Sequence, residues 1–235
     1  MTSSVTSHER HMLILDFDGV VVDSEPVNFE CWNRAFDELL GIRLEDNPHA
    51  LVGLGLEGIY QLWSCTRDGL ELSADIKEQL LKRKNEWYFR LGRDRLLPIP
   101  GSVELVRRAH QAGWYVAIAS RSRRDRLLRT LDVMGLPAVF DVILGAEDVV
   151  DPVSDHKIHA RAAQMFGIDP AACIVIEDSA SGVRDACASG IGYVIGLTSS
   201  LDRTVLLHAG AHQVVDHHDE VDLEAVSVQG DGEQS

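Results

Sequence analysis

The sequence predicts an α/β protein built on a parallel sheet, and three observations carry that expectation. From Ser102 onward, short apolar runs alternate with amphipathic stretches, the pattern of consecutive βαβ units with helices on both faces. The apolar run His11-Met12-Leu13-Ile14-Leu15 ends in two carboxylates, Asp16 and Asp18, at the strand edge where open α/β sheets gather their chemistry. Between Asn28 and about Asp94 the alternation stops and only helical spacing is found.

Taken in order, Met12 to Leu15 read as a buried strand, and Gly19 permits a tight turn behind it. Phe29, Cys31, Trp32, Ala35, Phe36, Leu39 and Leu40 recur at helical spacing until Gly41 stops the helix. Leu56 to Ser64 and Ser73 to Leu91 continue as helices, the second with Ser73 as its cap and Asp75 in its first turn. After Pro98-Ile99-Pro100-Gly101 come a helix from Ser102 to Ala112, a strand Tyr115 to Ala119 and a helix Arg124 to Met134. A strand Val139 to Leu144, a helix His156 to Phe166 and a strand Cys173 to Ile176 follow, then a helix Gly182 to Ser189 and a strand Tyr193 to Leu197. The expected organisation is a Rossmann-like α/β core from residues 11–27 and 95–226, with an all-α helical subdomain, 28–94, inserted in it. Residues 1–10 and 229–235, polar and rich in Ser, Gly or acid, are expected to be disordered.

Composition narrows the partners. The chain has 235 residues, 45% of them apolar, enough for a hydrophobic core, and a formal charge of −15. That charge repels a phosphate backbone, so neither nucleic acid nor an anionic membrane is an expected partner, and an anionic small molecule needs a local positive site. No apolar stretch approaches the ~20 residues of a membrane span, and the start lacks a signal-peptide pattern, so a soluble, cytoplasmic protein is expected. Cys31, Cys65, Cys173 and Cys187 are scattered without a C-x-x-C and read as free thiols. His208 and His212 stand four apart, but no acidic partner of the zinc-binding kind accompanies them.

Asp16 and Asp18, two apart in an extended backbone, are expected to point the same way, so that a cation or a shared proton must relieve their repulsion. A hard divalent ion such as Mg²⁺ does this and leaves Asp16 usable as a nucleophile. Two further strand ends match in character: Ser120, which with nearby backbone N–H groups can hold a phosphate oxygen, and Glu177-Asp178-Ser179, where Asp178 adds the carboxylate that the metal needs. Arg121, Arg123, Arg124 and Arg126 follow Ser120 and read as a solvated helix start. The alternative is that Arg121 or Arg123 faces a second anionic group on a substrate.

These residues identify a resemblance. Asp16-Phe17-Asp18-Gly19-Val20, Asp23-Ser24-Glu25-Pro26, Ser120 and Glu177-Asp178-Ser179-x-x-Gly182-Val183 resemble the motifs of the haloacid dehalogenase superfamily, in its phosphatase and β-phosphoglucomutase-like branch with a helical cap. The resemblance spans about Met12 to Asp216. It implies that Asp16 attacks phosphorus, that Asp18 serves as acid and then base, and that Mg²⁺ is held by Asp16, the Asp18 carbonyl and Asp178, with Glu177 adjacent. The family's usual lysine is absent: Val153 stands in its place, and Lys157, one helical turn on, is the expected substitute, with Arg121 or Arg123 as alternatives. Leu51-Val52-Gly53-Leu54-Gly55-Leu56 resembles the cap loop that reaches over the site, with Leu54 and Leu56 facing the cleft. Gly19, Ser120, Arg121, Asn28 and Leu54 are then the positions expected to contact phosphate or substrate. Asn28 and Leu56 stand where mutase relatives carry a histidine and an arginine, which disfavours a phosphomutase, and Asp18 disfavours a dehalogenase. The reading is a Mg²⁺-dependent phosphatase acting on a small phosphorylated metabolite, a sugar or polyol phosphate. A phosphomutase is the first alternative and a catalytically weak phosphate-binding or regulatory protein the second.

Overall fold

The computed structural model describes residues 10–44, 56–64, 72–136, 138–149 and 158–224. Its centre is a six-stranded parallel sheet. In chain order the strands are β1 (Met12–Leu15), β4 (Tyr115–Ala119), β5 (Val142–Leu144), β6 (Cys173–Glu177), β7 (Tyr193–Leu197) and β8 (Gln213–Val215). Across the sheet they run β5-β4-β1-β6-β7-β8, so the chain leaves β1 toward one side and returns to build the other. The carboxyl end of β1 thus lies at the switch point, between the ends of β4 and β6.

Strand β1 shows how the sequence sorts itself. Leu13 and Leu15 enter the core on one face and Met12 and Ile14 the core on the other, all four wholly buried. Burying each such side chain is worth about 1.5–3 kcal/mol, and the period-2 geometry of a strand does the sorting. Helices α4 (Ser102–Gln111), α5 (Arg124–Val133), α6 (Ile158–Met165), α7 (Ala180–Ala188) and α8 (Arg203–Ala209) connect the strands and cover the sheet.

Between β1 and α4 lie a short antiparallel pair, β2 (Val22–Asp23) with β3 (Leu97–Pro98), and three helices between those strands. They are α1 (Glu25–Leu40), α2 (Leu56–Ser64) and α3 (Ala74–Gly92). Trp32, Phe36, Leu56, Ile59 and Leu80 pack these helices into a hydrophobic cluster of their own. Tyr88 of α3 instead joins the core of the sheet. Ser73 caps α3 by accepting from the Ile76 N–H.

Several expectations are corrected. Helix α1 begins at Glu25, with Pro26 in its first turn, three residues ahead of the expected start of the helical subdomain at 28, and the antiparallel pair β2/β3 flanks the three helices. Leu56 is buried against the helical cluster because it opens the apolar face of α2, so it does not face the cleft. Strand β5 starts at Val142, after a turn in which the Asp141 carboxylate accepts from the Val116 N–H. Helix α8 and strand β8, which add the last unit of the sheet, have no counterpart in the sequence reading. His212 lies beyond α8 and its ring accepts from the Val194 N–H, so it shares no helix face with His208. Leu54 and the rest of the glycine-bearing loop before Leu56, Cys65, Val153, Lys157, residues 1–9 of the expected amino-terminal tail and the whole of 229–235 lie outside the described residues. Among the described residues no helix is long and apolar enough to cross a membrane.

Candidate active site

Three strand ends converge. Asp16 follows β1, and its N–H donates to the Ile176 carbonyl at 3.1 Å, which holds it beside β6. Glu177 ends β6 and Asp178 follows it, buried to 4% and 5% exposure. Carboxylate oxygens of Asp16, Glu177 and Asp178 lie within 4.8 Å of one another, a hard-oxygen donor set that fits a divalent cation such as Mg²⁺.

The electrostatics agree with that fit. Burial, then Glu177 and Asp178, push the Asp16 pKa well above the carboxylate range, and burial with Glu177 does the same to Asp178. The Ser200 hydroxyl, donating to Asp178, offsets only part of this. Asp16 and Asp178, crowded against each other and against Glu177, resist ionisation, and a divalent ion among them removes the cause.

Two glycines make the crowding possible. Gly19 adopts φ +76°, and a Cβ there would lie 1.9 Å from Asp178 Oδ2. A Cβ on Gly182 would meet Glu177 Oε2 at 2.0 Å. Gly182 sits at the start of α7, where its N–H donates to Ser179 Oγ at 3.0 Å, and that hydroxyl donates to Glu177 at 3.2 Å.

Asp18 faces elsewhere. The chain leaves β1 after Leu15 and bends at Phe17, so the extended geometry that would align Asp16 with Asp18 is absent. Arg126 of α5 grips the Asp18 carboxylate with both terminal nitrogens, at 2.6 and 2.7 Å. The Ser24 hydroxyl donates to one Asp18 oxygen, and the Ser122 hydroxyl donates to the other at 3.0 Å. Burial by itself would raise the Asp18 pKa, but Arg126, the Ser24 hydroxyl and the charge of Lys84 outweigh it and hold the group far below the usual carboxylate range. Asp18 is therefore not a fourth side-chain ligand beside Asp16; its carboxylate is committed to Arg126.

Of the other expected residues, Ser120 is buried at the end of β4, where its N–H donates to the Leu144 carbonyl at 3.1 Å. Its Oγ accepts weakly from the Ser122 N–H at 3.4 Å. Arg121 lines a small cavity with Asp16, Glu177 and His159, and donates to Ser181 Oγ at 2.9 Å. Asn28 donates to Ser24 Oγ at 3.2 Å and so stands behind Asp18. Arg123 points outward to Asp125.

Sequence reasoning missed Arg126, Ser24, Ser122, His159 and Lys84. Arg126 was hidden in a run of arginines, yet it precedes buried Leu127 and stands four before buried Thr130, a register that turns it toward the protein. His159 is buried on α6, 3.6 Å from Glu177 Oε1, without a hydrogen-bond partner among the described residues. Lys84 is buried on α3 over the rings of Trp32 and Tyr88.

Comparison with known proteins places this geometry. The family model of haloacid dehalogenase-like hydrolases matches residues 11–187. A phosphorylated carbohydrates phosphatase of Thermotoga maritima is 30% identical over 205 residues, covering 86% of this chain and 93% of the relative. A fructose-1-phosphate phosphatase of Escherichia coli K12 is 28% identical over 191 residues, 80% of this chain and 97% of the relative. The crystal structure of a putative β-phosphoglucomutase from Thermotoga maritima superposes with a TM-score of 0.71 at 26% identity, covering 89% of this chain and 95% of that one. With its motifs at the carboxyl ends of β1, β4 and β6, the chain belongs to the haloacid dehalogenase-like hydrolase family.

Proposed function

We propose that the protein is a Mg²⁺-dependent phosphatase that hydrolyses a small phosphorylated sugar or polyol through an aspartyl phosphate on Asp16. The observation that carries this reading is the convergence of Asp16, Glu177 and Asp178 within 4.8 Å at the switch point of the sheet. Asp16, Asp178 and the Asp18 carbonyl would hold Mg²⁺, with Glu177 adjacent; the ion, when bound, neutralises charge on the acids and on the phosphate. Relatives named as phosphatases of phosphorylated carbohydrates and of fructose 1-phosphate support the substrate class.

The chain's own residues would then act as follows. Asp16 attacks phosphorus from the end of β1, while Ser120 and the N–H groups behind it hold a non-bridging oxygen. Asp18 gives a proton to the departing alkoxide and afterwards takes one from water. For that it must first leave Arg126, which holds it as the carboxylate, and take up a proton from solvent water. Helices α1 to α3 serve as a cap that closes over the site and excludes water, with β2/β3 as the crossing. Lys157 or Arg121 supplies the charge that the family's lysine gives elsewhere.

The test is release of inorganic phosphate from a panel of sugar and polyol phosphates with Mg²⁺. Release that is lost with EDTA and lost in Asp16→Asn supports the reading. No release from any member, or release that survives Asp16→Asn, refutes it.

A further inference from the structure

Helix α6 carries a histidine at a position that packing alone would give to an apolar side chain. Ile158, Ala162 and Ala163 of α6 are buried in the core on one face of the sheet, and His159 beside them is 2% exposed. Both of its ring nitrogens are buried, and neither has a hydrogen-bond partner among the described residues. A buried polar group left unsatisfied costs stability that a leucine of similar volume would keep. The imidazole therefore calls for an account outside packing.

Among the described residues, the acid at ion-pair distance from the ring is Glu177, whose Oε1 lies 3.6 Å from His159 Nε2. The other carboxylate oxygen, Oε2, accepts from Ser179 Oγ at 3.2 Å, and Ser179 is itself fixed by the Gly182 N–H at the start of α7. Glu177 is thus approached from α7 on one oxygen and from α6 on the other. A cavity of about 20 Å³, bounded in part by Asp16, Arg121, His159 and Glu177, adjoins the contact and gives the carboxylate room to turn. Shortening the contact by about 0.6 Å makes an ordinary N–H···O hydrogen bond. A carboxylate accepts at about four lone-pair sites, so bonds from Ser179 and His159 still leave Glu177 able to face a cation.

We propose that His159 is a positioning residue for the metal site: with a proton on Nε2 it donates to Glu177 Oε1, and together with Ser179 it holds that carboxylate toward Asp16 and Asp178. The proposal rests on the reading of these three acids as a Mg²⁺ site. His159 acts through Glu177 and is not itself a ligand. Its presence trades stability for affinity: the orphaned imidazole costs the metal-free protein and strengthens the hold on Mg²⁺.

The test reads Mg²⁺ binding by calorimetry, so that it does not depend on turnover, with Tm in EDTA measured beside it. His159→Leu should weaken Mg²⁺ binding about tenfold or more, while its Tm in EDTA stays level or rises because the orphaned ring is gone. His159→Phe is a second apolar variant expected to do the same. His159→Gln, which keeps a donor near the place of Nε2, should recover the affinity to within about threefold of the wild type. In a Glu177→Gln background, His159→Leu should change the affinity by less than about twofold, because the residue it acts through is already altered. Three results overturn the proposal: wild-type affinity in His159→Leu and His159→Phe, an equal loss in the Glu177→Gln background, or a loss that His159→Gln does not recover. Absence of Mg²⁺ binding in the wild type would instead refute the metal site, and with it both the phosphatase reading and this role.

Discussion

Asp16 and Asp18 are separated by one residue, yet their carboxylates sit in opposite fields. Asp16 faces two more acids, and burial with their charge drives its pKa up. Asp18 faces a guanidinium and two hydroxyls, and Arg126, the Ser24 hydroxyl and the charge of Lys84 drive its pKa down. The backbone leaves the strand after Leu15 and bends at Phe17, between them; one carboxylate lies with Glu177 and Asp178 beside β6 and the other on Arg126 of α5. The difference teaches that carboxylates adjacent in sequence are set to different tasks by which neighbours the fold turns toward each. The acids around Asp16 fit a divalent cation, whereas Asp18 is paired with a cation of the chain itself.

The largest expected effect falls on Asp16. Replacing it with Asn should cut kcat by at least about a thousandfold, about 4 kcal/mol of barrier, if Asp16 is the nucleophile as proposed. Retained turnover would move the chemistry to another residue and end the contrast.

Arg126→Met breaks the other side of the comparison. It leaves the Asp18 carboxylate poorly solvated and unpaired, and should lower stability by about 3 kcal/mol in denaturant unfolding. A loss under about 1 kcal/mol would show the pair to be no tighter than a surface contact.

Mg²⁺ sharpens the contrast without mutation. Because Asp16 and Asp178 repel each other and Glu177, saturating Mg²⁺ should raise Tm by on the order of 5 °C, and Asp178→Asn should abolish most of that shift. An equal shift in the variant would place the ion elsewhere.

The smallest effect concerns the support of the Gly19 turn. Buried His218 donates from Nε2 to the Val20 carbonyl at 2.8 Å, and Arg108 fixes the His218 carbonyl. Burial lowers the His218 pKa below its ordinary 6.5, so below that pH the unfolded chain binds the proton first. Stability from this group is full above about 6.5 and falls as the pH drops toward the folded value. His218→Gln should flatten that part of the pH–stability curve, and an unchanged slope would assign it to other groups.

The same contrast explains what the sequence could disclose. Strand β1 and the acids behind it were legible because a breaker-free apolar run followed by carboxylates has few other uses, and Glu177-Asp178 follows β6 in the same way. The divergence of Asp18 from Asp16 was not legible, since it depends on a three-dimensional turn and a partner 108 positions away. Arg126 reads like its neighbours Arg123 and Arg124, and only the buried face of α5 tells them apart. Lys84 is one basic residue among Lys82, Arg83 and Lys84, and its burial comes from packing against Trp32 and Tyr88. Strand β8 is three residues long and α8 seven, too short for periodicity to declare them.

The most direct measurement is acid-quenched mass spectrometry of the Asp18→Asn protein after mixing with Mg²⁺ and a hydrolysable phosphate ester. Slow phosphoryl transfer without an efficient base for the second step should leave a phosphoryl group on the peptide that contains Asp16, absent when Asp16→Asn is added. A phosphoryl group on any other residue, or wild-type turnover in Asp18→Asn, would contradict the division of labour between the two aspartates.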